Sequence, residues 1–352
     1  MTVVCTARRA RGVIDAPTID DGVTVEAVPY LFGETFYGAG APDALDLGRG
    51  SIRWRASLGA LDATRAIAFA AQTVIERSDA VVSHFIVPCG AIGALLSRGR
   101  AHVAVVHGTD GWLLARAPRA VQRAVLRGAS AVWYSHGALR AAIAHPSEVV
   151  SHVRPMGWEP STAARPAFDR AGPLRIAMVS RLVPVKRVEV AVSAVGALAS
   201  RGVDVTLSVA GDGPLRGALE AHADRVAAGR VRWLGAVDTS ARDALLATSN
   251  VFLHTAGAIE GGRTEGAPVS VLEAMGAGLA VVACDAGGVR ELVGDAAALV
   301  SDDATPAMLA DAIASLDADA RSALGDRARE RAWPLRWSAT AQWLERVLGL
   351  GS

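Results

Sequence analysis

GGRTEGAPVSVLEAMGAG, residues 261–278, lies between SNVFLHTA (Ser249–Ala256) and LAVVACD (Leu279–Asp285). Both flanks are short apolar runs that read as buried strands. Pro268 suits the first turn of a helix and Gly276 to Gly278 suit its end, so the spacing predicts a short helix over Val269–Met275. Its amino-terminal amides would then face the carboxyl edge of the sheet, where open α/β sheets bind anionic ligands. Glu265 sits just ahead of that edge in the loop, and Glu273 lies about one turn into the helix. A ligand with a phosphate between two sets of hydroxyls suits this arrangement.

The same alternation extends outward. LRIAMVS (Leu174–Ser180), VDVTLSVA (Val203–Ala210), VRWLG (Val231–Gly235), NVFLHT (Asn250–Thr255) and LAVVAC (Leu279–Cys284) are apolar runs, each followed by a helical or loop segment. Such alternation implies a parallel, doubly wound α/β sheet. The first half reads similarly, with strands at Met1–Ala7, Gly22–Tyr30, Ser78–Pro88, the start of Ala101–Trp112, which ends in His107-Gly108-Thr109-Asp110, and Ser130–Ser135, and helices at Ala63–Arg77, Gly90–Ser97, Arg119–Arg127 and Gly137–Ala144. Tyr37–Leu61 has no clean period and reads as a long surface connection. Pro155, Pro160, Pro166 and Pro173 punctuate a polar stretch, which sets a domain boundary near Ala163–Gly172. At 352 residues the chain is long enough for two domains, expected at 1–165 and 166–330. Residues 331–352 then carry an amphipathic helix, Ala332–Gly349, whose Trp333, Trp337 and Trp343 read as packing residues rather than a ligand stack.

A formal net charge of +1 argues against a nucleic-acid surface or a polybasic membrane tether, although a small basic patch and peripheral membrane contact stay open. Cys5, Cys89 and Cys284 are too scattered for a metal site or a disulfide framework, which points to a reducing compartment. With no apolar run of ~18 residues and no secretory leader before the first strand, a cytoplasmic protein is expected. Lys186 is the one lysine beside 35 arginines, the mark of an arginine-biased, GC-rich bacterial coding sequence. It survives in an anion-binding candidate, where a compact ammonium and a planar guanidinium are not interchangeable.

EGAPVSVLEAMGAG carries two glutamates eight apart, and upstream stand SRLVPVKR (180–187), VAGDGPLR (209–216) and VRWLGAV (231–237), each at a strand-to-loop junction. In that order and approximate spacing they resemble the retaining, family 4 glycosyltransferases of the GT-B fold. AHVAVVHGTDGW (Ala101–Trp112) resembles the His-Gly-Ser-Asp junction of the same family. The resemblance implies two Rossmann-like doubly wound domains with a cleft between them, the last helix crossing back to the amino-terminal domain. It also implies a nucleotide-sugar donor, a UDP-sugar first and a GDP- or ADP-sugar next, with a glycan, lipid-linked or small-molecule acceptor. Arg181 and Lys186 would hold the diphosphate, Glu273 the ribose hydroxyls, Glu265 would lie beside the transferred sugar, and His107 would touch it. The amides of Gly266, Ala267, Pro268's neighbour Val269 and the loop of Gly211, Asp212 and Gly213 would complete the nucleotide pocket. No metal or other cofactor is implied, because cationic side chains take that role; Asp317-Ala318-Asp319 matches a metal-binding triplet only by letter. A hexosyltransferase acting as monomer or homodimer is expected.

Two departures stand out. Arg187 occupies a position where the family more commonly has glycine, and could narrow the pocket. Met1–Ala7 and Gly22–Tyr30 resemble the family's second and third elements, so its opening strand, glycine-rich loop and helix are read as absent from this sequence. That leaves open, as an alternative reading, a catalytically impaired partner subunit. Gly211, Gly213 and Gly217 after a strand raise a third, a nicotinamide-dependent oxidoreductase, weakened by Pro214 and the imperfect glycine spacing.

Overall fold

The computed structural model describes residues 1–10, 13–15, 23–29, 50–161, 172–258 and 266–350. Glu265 and most of the Ala163–Gly172 boundary lie outside them. The chain forms two compact units, one of residues 1–134, 142–152 and 347–352, the other of residues 135–141 and 153–346.

In the first unit β1 (Thr2–Ala10), β2 (Val13–Asp15) and β3 (Thr24–Pro29) make a small sheet ordered β2-β1-β3, with β1 parallel to β3 and antiparallel to β2. Helix α1 (Gly50–Glu76) packs against β1 and β3. It begins well before the expected Ala63 and absorbs the end of the expected Tyr37–Leu61 connection. Ser51–Ala60 holds Ala, Leu and Arg with no proline, and the single Gly59 is a tolerable helix residue.

The second sheet of this unit runs β4 (Ala80–His84), β5 (Ala101–Val106), β6 (Ala131–Tyr134), β7 (Val150–Val153), with β4, β5 and β6 parallel. Val103–Val106 and Val132–Tyr134 are buried, as a strand covered on both faces requires. Helices α2 (Ala91–Leu96), α3 (Gly108–Ala115) and α4 (Arg119–Leu126) connect these strands, and α5 (Gly137–Ala142) follows β6 in the chain.

The second unit holds one six-stranded parallel sheet: β8 (Leu174–Val179), β9 (Val205–Ala210), β10 (Val231–Gly235), β11 (Val251–His254), β12 (Ala280–Cys284) and β13 (Ala298–Val300). Its order is β10-β9-β8-β11-β12-β13. The last strand is not among those expected; three residues are too few to show a period. Helices α6 (Val188–Ser200), α7 (Arg216–Val226), α8 (Thr239–Ala247), α9 (Val269–Gly276), α10 (Val289–Val293), α11 (Pro306–Ala314) and α12 (Ala318–Ala332) intervene. Strand residues alternate between the two faces. Ile176, Met178, Leu253 and Val282 pack with residues of α6, α7 and α11, whereas Ala177, Phe252 and Val281 pack with residues of α8, α9 and α12.

The expected single terminal helix is broken. Pro334 confines Trp333–Leu335 to one 3-10 turn between α12 and α13 (Trp337–Leu348). Within the second unit the Trp158 indole donates to the Ala332 carbonyl at 2.8 Å. Gly157 and Gly276 let Trp337 and Trp158 approach so closely that a Cβ on either glycine would meet the ring at 2.4 and 2.2 Å.

Candidate functional site

The strand order of the second unit decides where a ligand can enter. From β8 the chain steps outward through β9 and β10, then returns to the other side of β8 as β11 and steps outward again through β12 and β13. The carboxyl ends of β8 and β11 thus flank the topological switch point, where open α/β sheets bind ligands. Arg181 and Lys186 follow β8; the stretch leading to Glu273 follows β11.

These loops are knitted together. Thr255, 1% exposed, donates its hydroxyl to the Lys186 carbonyl at 2.8 Å, and Gly257 N–H donates to the Val185 carbonyl at 3.2 Å. Lys186 closes a 3-10 turn, Pro184–Lys186, and is half-buried, while Arg181 is exposed. On the other side, Leu182 N–H donates to the Asp212 carbonyl at 2.9 Å, and Leu215 N–H to the Leu182 carbonyl at 3.2 Å. Gly211 has φ 134°, and a Cβ there would lie 1.9 Å from the Ser180 carbonyl oxygen; one on Gly213 would lie 2.5 Å from that of Leu182. Both glycines therefore serve the close approach of two backbone loops. Gly217, the third glycine of the dinucleotide-like pattern, has nothing near its Cβ position, so the helix packing that such a pattern requires is missing.

Arg187 has φ 48° and ψ 43°, left-handed backbone that explains why glycine suits this position. Its guanidinium donates to the Asp302 carbonyl and, at 2.8 Å, to that of Ala304. The side chain thus clamps the loop after β13. Asp302 in turn accepts from Ala258 N–H at 3.0 Å.

Helix α9 starts at Val269 as expected, with Pro268 as the residue before its first turn, and runs one residue further, through Gly276. The Gly266 carbonyl accepts from Gly288 N–H at 3.2 Å, which pins the loop of Gly266 and Ala267 to the segment after β12. Val269 is 40% exposed at the helix start. Glu273 is 15% exposed and accepts from Arg242 Nη1 at 2.5 Å. Burial pushes its carboxyl up; Arg242 pulls it back and Asp243 adds a smaller upward push. Sequence reasoning misses Arg242 and Asp243, since nothing in a separation of 31 residues marks the meeting of Arg242 with Glu273.

In the first unit His107 follows β5 and is the residue before α3. Its Nε2 lies 3.1 Å from Nδ1 of His84, which ends the neighbouring strand β4, and the two rings stack at 25°. Phe85, at φ 67°, places its ring centroid 4.7 Å from that of His107. Burial, then the His84 charge, hold the His107 imidazole down at about 4, so it is neutral at pH 7. Asp110 accepts from His107 N–H at 3.0 Å and from Ile86 N–H at 2.6 Å. Its carboxylate therefore joins two loops, and burial raises it to about 6. Asp317, of the metal-like triplet, caps α12 by accepting from Ala320 N–H at 2.8 Å. Among the described residues no group of three or more His, Cys, Asp or Glu could hold a metal ion.

Residues 163–331 match the family model of glycosyl transferases group 1. This stretch, just under half of the chain, is similar to a glycosyltransferase group 1 domain. The group 1 domain contains Arg181, Lys186, the Gly211–Gly213 loop and Glu273. The GDP-mannose-dependent alpha-(1-6)-phosphatidylinositol monomannoside mannosyltransferase of Mycobacterium tuberculosis is 30% identical over 259 residues, 68% of this chain and 65% of its own length. A phosphatidylinositol N-acetylglucosaminyltransferase subunit of Homo sapiens is 32% identical over 156 residues, 44% of this chain and 30% of its own. The chain thus spans less than two thirds of either relative.

Among solved structures, Anabaena Alr3699/HepE in complex with UDP shares the fold with a TM-score of 0.67 at 20% identity, over 93% of this chain and 86% of its own. Sucrose-phosphate synthase from Thermosynechococcus elongatus does so with a TM-score of 0.67 at 18% identity, over 94% and 90%. The fold surrounding the group 1 domain is α/β with two Rossmann-like units, that of the GT-B glycosyltransferases. Among the described residues no helix is long and apolar enough to cross a membrane.

Proposed function

We propose that this chain is a retaining glycosyltransferase that moves a hexosyl group from a nucleotide-sugar donor to an acceptor hydroxyl. The observation that carries the reading is the meeting of the Lys186 turn with the Thr255–Gly257 segment at the switch point of the group 1 domain. In this reading Arg181 and Lys186 grip the diphosphate, whose negative charge grows as the bond from the sugar's anomeric carbon to phosphate oxygen breaks; stabilising such charge is commonly the largest catalytic term. The acceptor oxygen bonds to the same face of that carbon, and its proton passes to the departing phosphate. Glu265 lies beside the sugar, and the amides of Gly266, Ala267 and Val269 at the Pro268 turn bind phosphate or sugar hydroxyls. Asp212, with Gly211 and Gly213, shapes the pocket beyond the β9 loop. Oε1 of Glu273 is engaged by Arg242, so Oε2 is assigned the ribose hydroxyls. His107 keeps the sugar-facing role that the family resemblance gives it.

No metal is required by this scheme. Domains of residues 1–165 and 166–330, a terminal segment at 331–352, a cytoplasmic bacterial setting and a monomer or homodimer complete the proposal. The relatives' names direct the first assays toward inositol phospholipid acceptors, and toward GDP-mannose beside UDP-sugars. Incubation with UDP-, GDP- and ADP-sugars, with nucleotide release and the anomeric configuration of the product read by NMR, tests the reading. Release with an α-linked product from an α-linked donor supports it; absence of release with every donor and acceptor, or an inverted product, contradicts it.

A further inference from the structure

Helices α8 and α9 each leave the carboxyl end of a strand and pack side by side on one face of the sheet, where Leu246 joins Val271 and Leu272 in one core. Their facing sides carry Arg242 and Glu273. Arg242 Nη1 meets Glu273 Oε1 at 2.5 Å, while Arg242 Nε and Nη2 both meet Asp243 Oδ1, at 3.0 and 2.7 Å. The guanidinium is therefore held along one edge while its other end presents a donor to the glutamate. All three side chains are nearly enclosed, Arg242 at 18% exposure and Glu273 and Asp243 at 15%. Burying a carboxylate this far favours its protonated form unless a cation accompanies it. The groups that face Glu273 across the same pocket are Arg242 and Asp243 of α8, Arg329 of α12 and Glu159 of the segment after Trp158.

We infer that Arg242, oriented by Asp243, is a positioning residue that keeps Glu273 ionised and fixed as the acceptor for the hydroxyls of a nucleoside diphosphate. The inference rests on the proposed role of Glu273 in holding the ribose. A protonated Glu273 offers one of its oxygens as a donor and loses part of its acceptor capacity. An ionised but wandering one spends side-chain entropy on each binding event. The guanidinium removes both penalties, and its neighbour Asp243 fixes its plane.

The test is calorimetric titration of the intact chain with UDP and GDP between pH 5.5 and 8. The proteins are wild type, Arg242→Gln, Arg242→Lys, Glu273→Gln and the Arg242→Gln/Glu273→Gln double variant, with the Tm of each recorded. Arg242→Gln should weaken nucleotide binding by roughly 10-fold at pH 7, within the range of coupling between members of one ion-pair network. Because loss of the cation raises the Glu273 carboxyl, its binding should fall further on acidification, at a higher pH than in wild type. Arg242→Lys should restore part of the affinity and the wild-type pH profile. The double variant should bind like Glu273→Gln alone. If Glu273→Gln is weakened while both Arg242 variants, folded by Tm, bind with wild-type affinity and pH profile, the positioning role is overturned and the site stands. If Glu273→Gln itself binds like wild type, the ribose role of Glu273 fails and takes this inference with it.

Discussion

Thr255 donates its hydroxyl to the carbonyls of Lys186 and Arg187, at 2.8 and 3.1 Å, and so ties the loop after β11 to the loop after β8. Both loops are set by neighbouring strands of one parallel sheet, yet nothing in the strands themselves fixes the turn that carries Lys186. The hydroxyl supplies that constraint. Thr255→Val keeps the shape of this buried side chain but removes the hydroxyl that both carbonyls accept from, of which that of Arg187 still accepts from Val190 N–H at 3.0 Å. We expect a loss of about 1–2 kcal/mol in urea unfolding, and a weaker affinity for UDP or GDP that Thr255→Ser restores.

Arg187 trades backbone comfort for a clamp. Left-handed backbone costs a non-glycine residue roughly 1–2 kcal/mol, whereas hydrogen bonds from a charged donor contribute about 1.5–3 kcal/mol each. Two such bonds reach the carbonyls of Asp302 and Ala304. Arg187→Gly therefore relieves strain and still destabilises, by about 1–5 kcal/mol net on those magnitudes. A denaturant midpoint above that of wild type would show that strain outweighs the clamp.

Asp110 accepts from the amides of Ile86 and His107 while 5% exposed. Asp110→Ala leaves both donors unpaired, at about 1–3 kcal/mol each. A clear drop in Tm is expected, with the nucleotide affinity of the group 1 domain unchanged in the protein that remains folded.

His107 gives a pH-dependent prediction. Its folded value of about 4 lies below the ~6.5 of an unfolded histidine. A base depressed by folding contributes its full stability above the unfolded value and loses it as pH falls from ~6.5 towards about 4. Asp110 acts in the opposite direction, since a carboxyl raised to about 6 favours the native state as pH drops through that value. Comparison with His107→Gln isolates the histidine. The Tm advantage of wild type over His107→Gln should be smaller at pH 5 than at pH 7.5; an advantage that grows on acidification would contradict the assignment of a buried neutral imidazole.

Much of the second unit is legible in the sequence because its strands are largely apolar runs ending in a turn, as at Leu174–Ser180 and Leu279–Cys284. The sheet order is not written in any single strand; it follows from a crossover that brings β11 back beside β8. Periodicity starts helix α1 too late because Gly59 and polar residues blur the pattern before Ala63. It carries the carboxyl-terminal helix too far because the tryptophans keep a helical spacing across Pro334. Arg181, Lys186 and Glu273 are visible as residue types in a loop-and-helix pattern. Their partners are not, because Arg242, Thr255 and His84 become neighbours of site residues only once segments 23 to 69 residues apart come together.

The central claim is that the switch point of the group 1 domain grips a diphosphate through Arg181 and Lys186. Calorimetric titration of wild type and Lys186→Ala with UDP and GDP, beside UMP and GMP, tests it most directly. The account predicts that wild type binds at least one diphosphate more tightly than its monophosphate, and that Lys186→Ala erases this preference with a loss on the order of 100-fold while its Tm stays near wild type. Equal binding of mono- and diphosphates by wild type, or undiminished diphosphate affinity in Lys186→Ala, would contradict it.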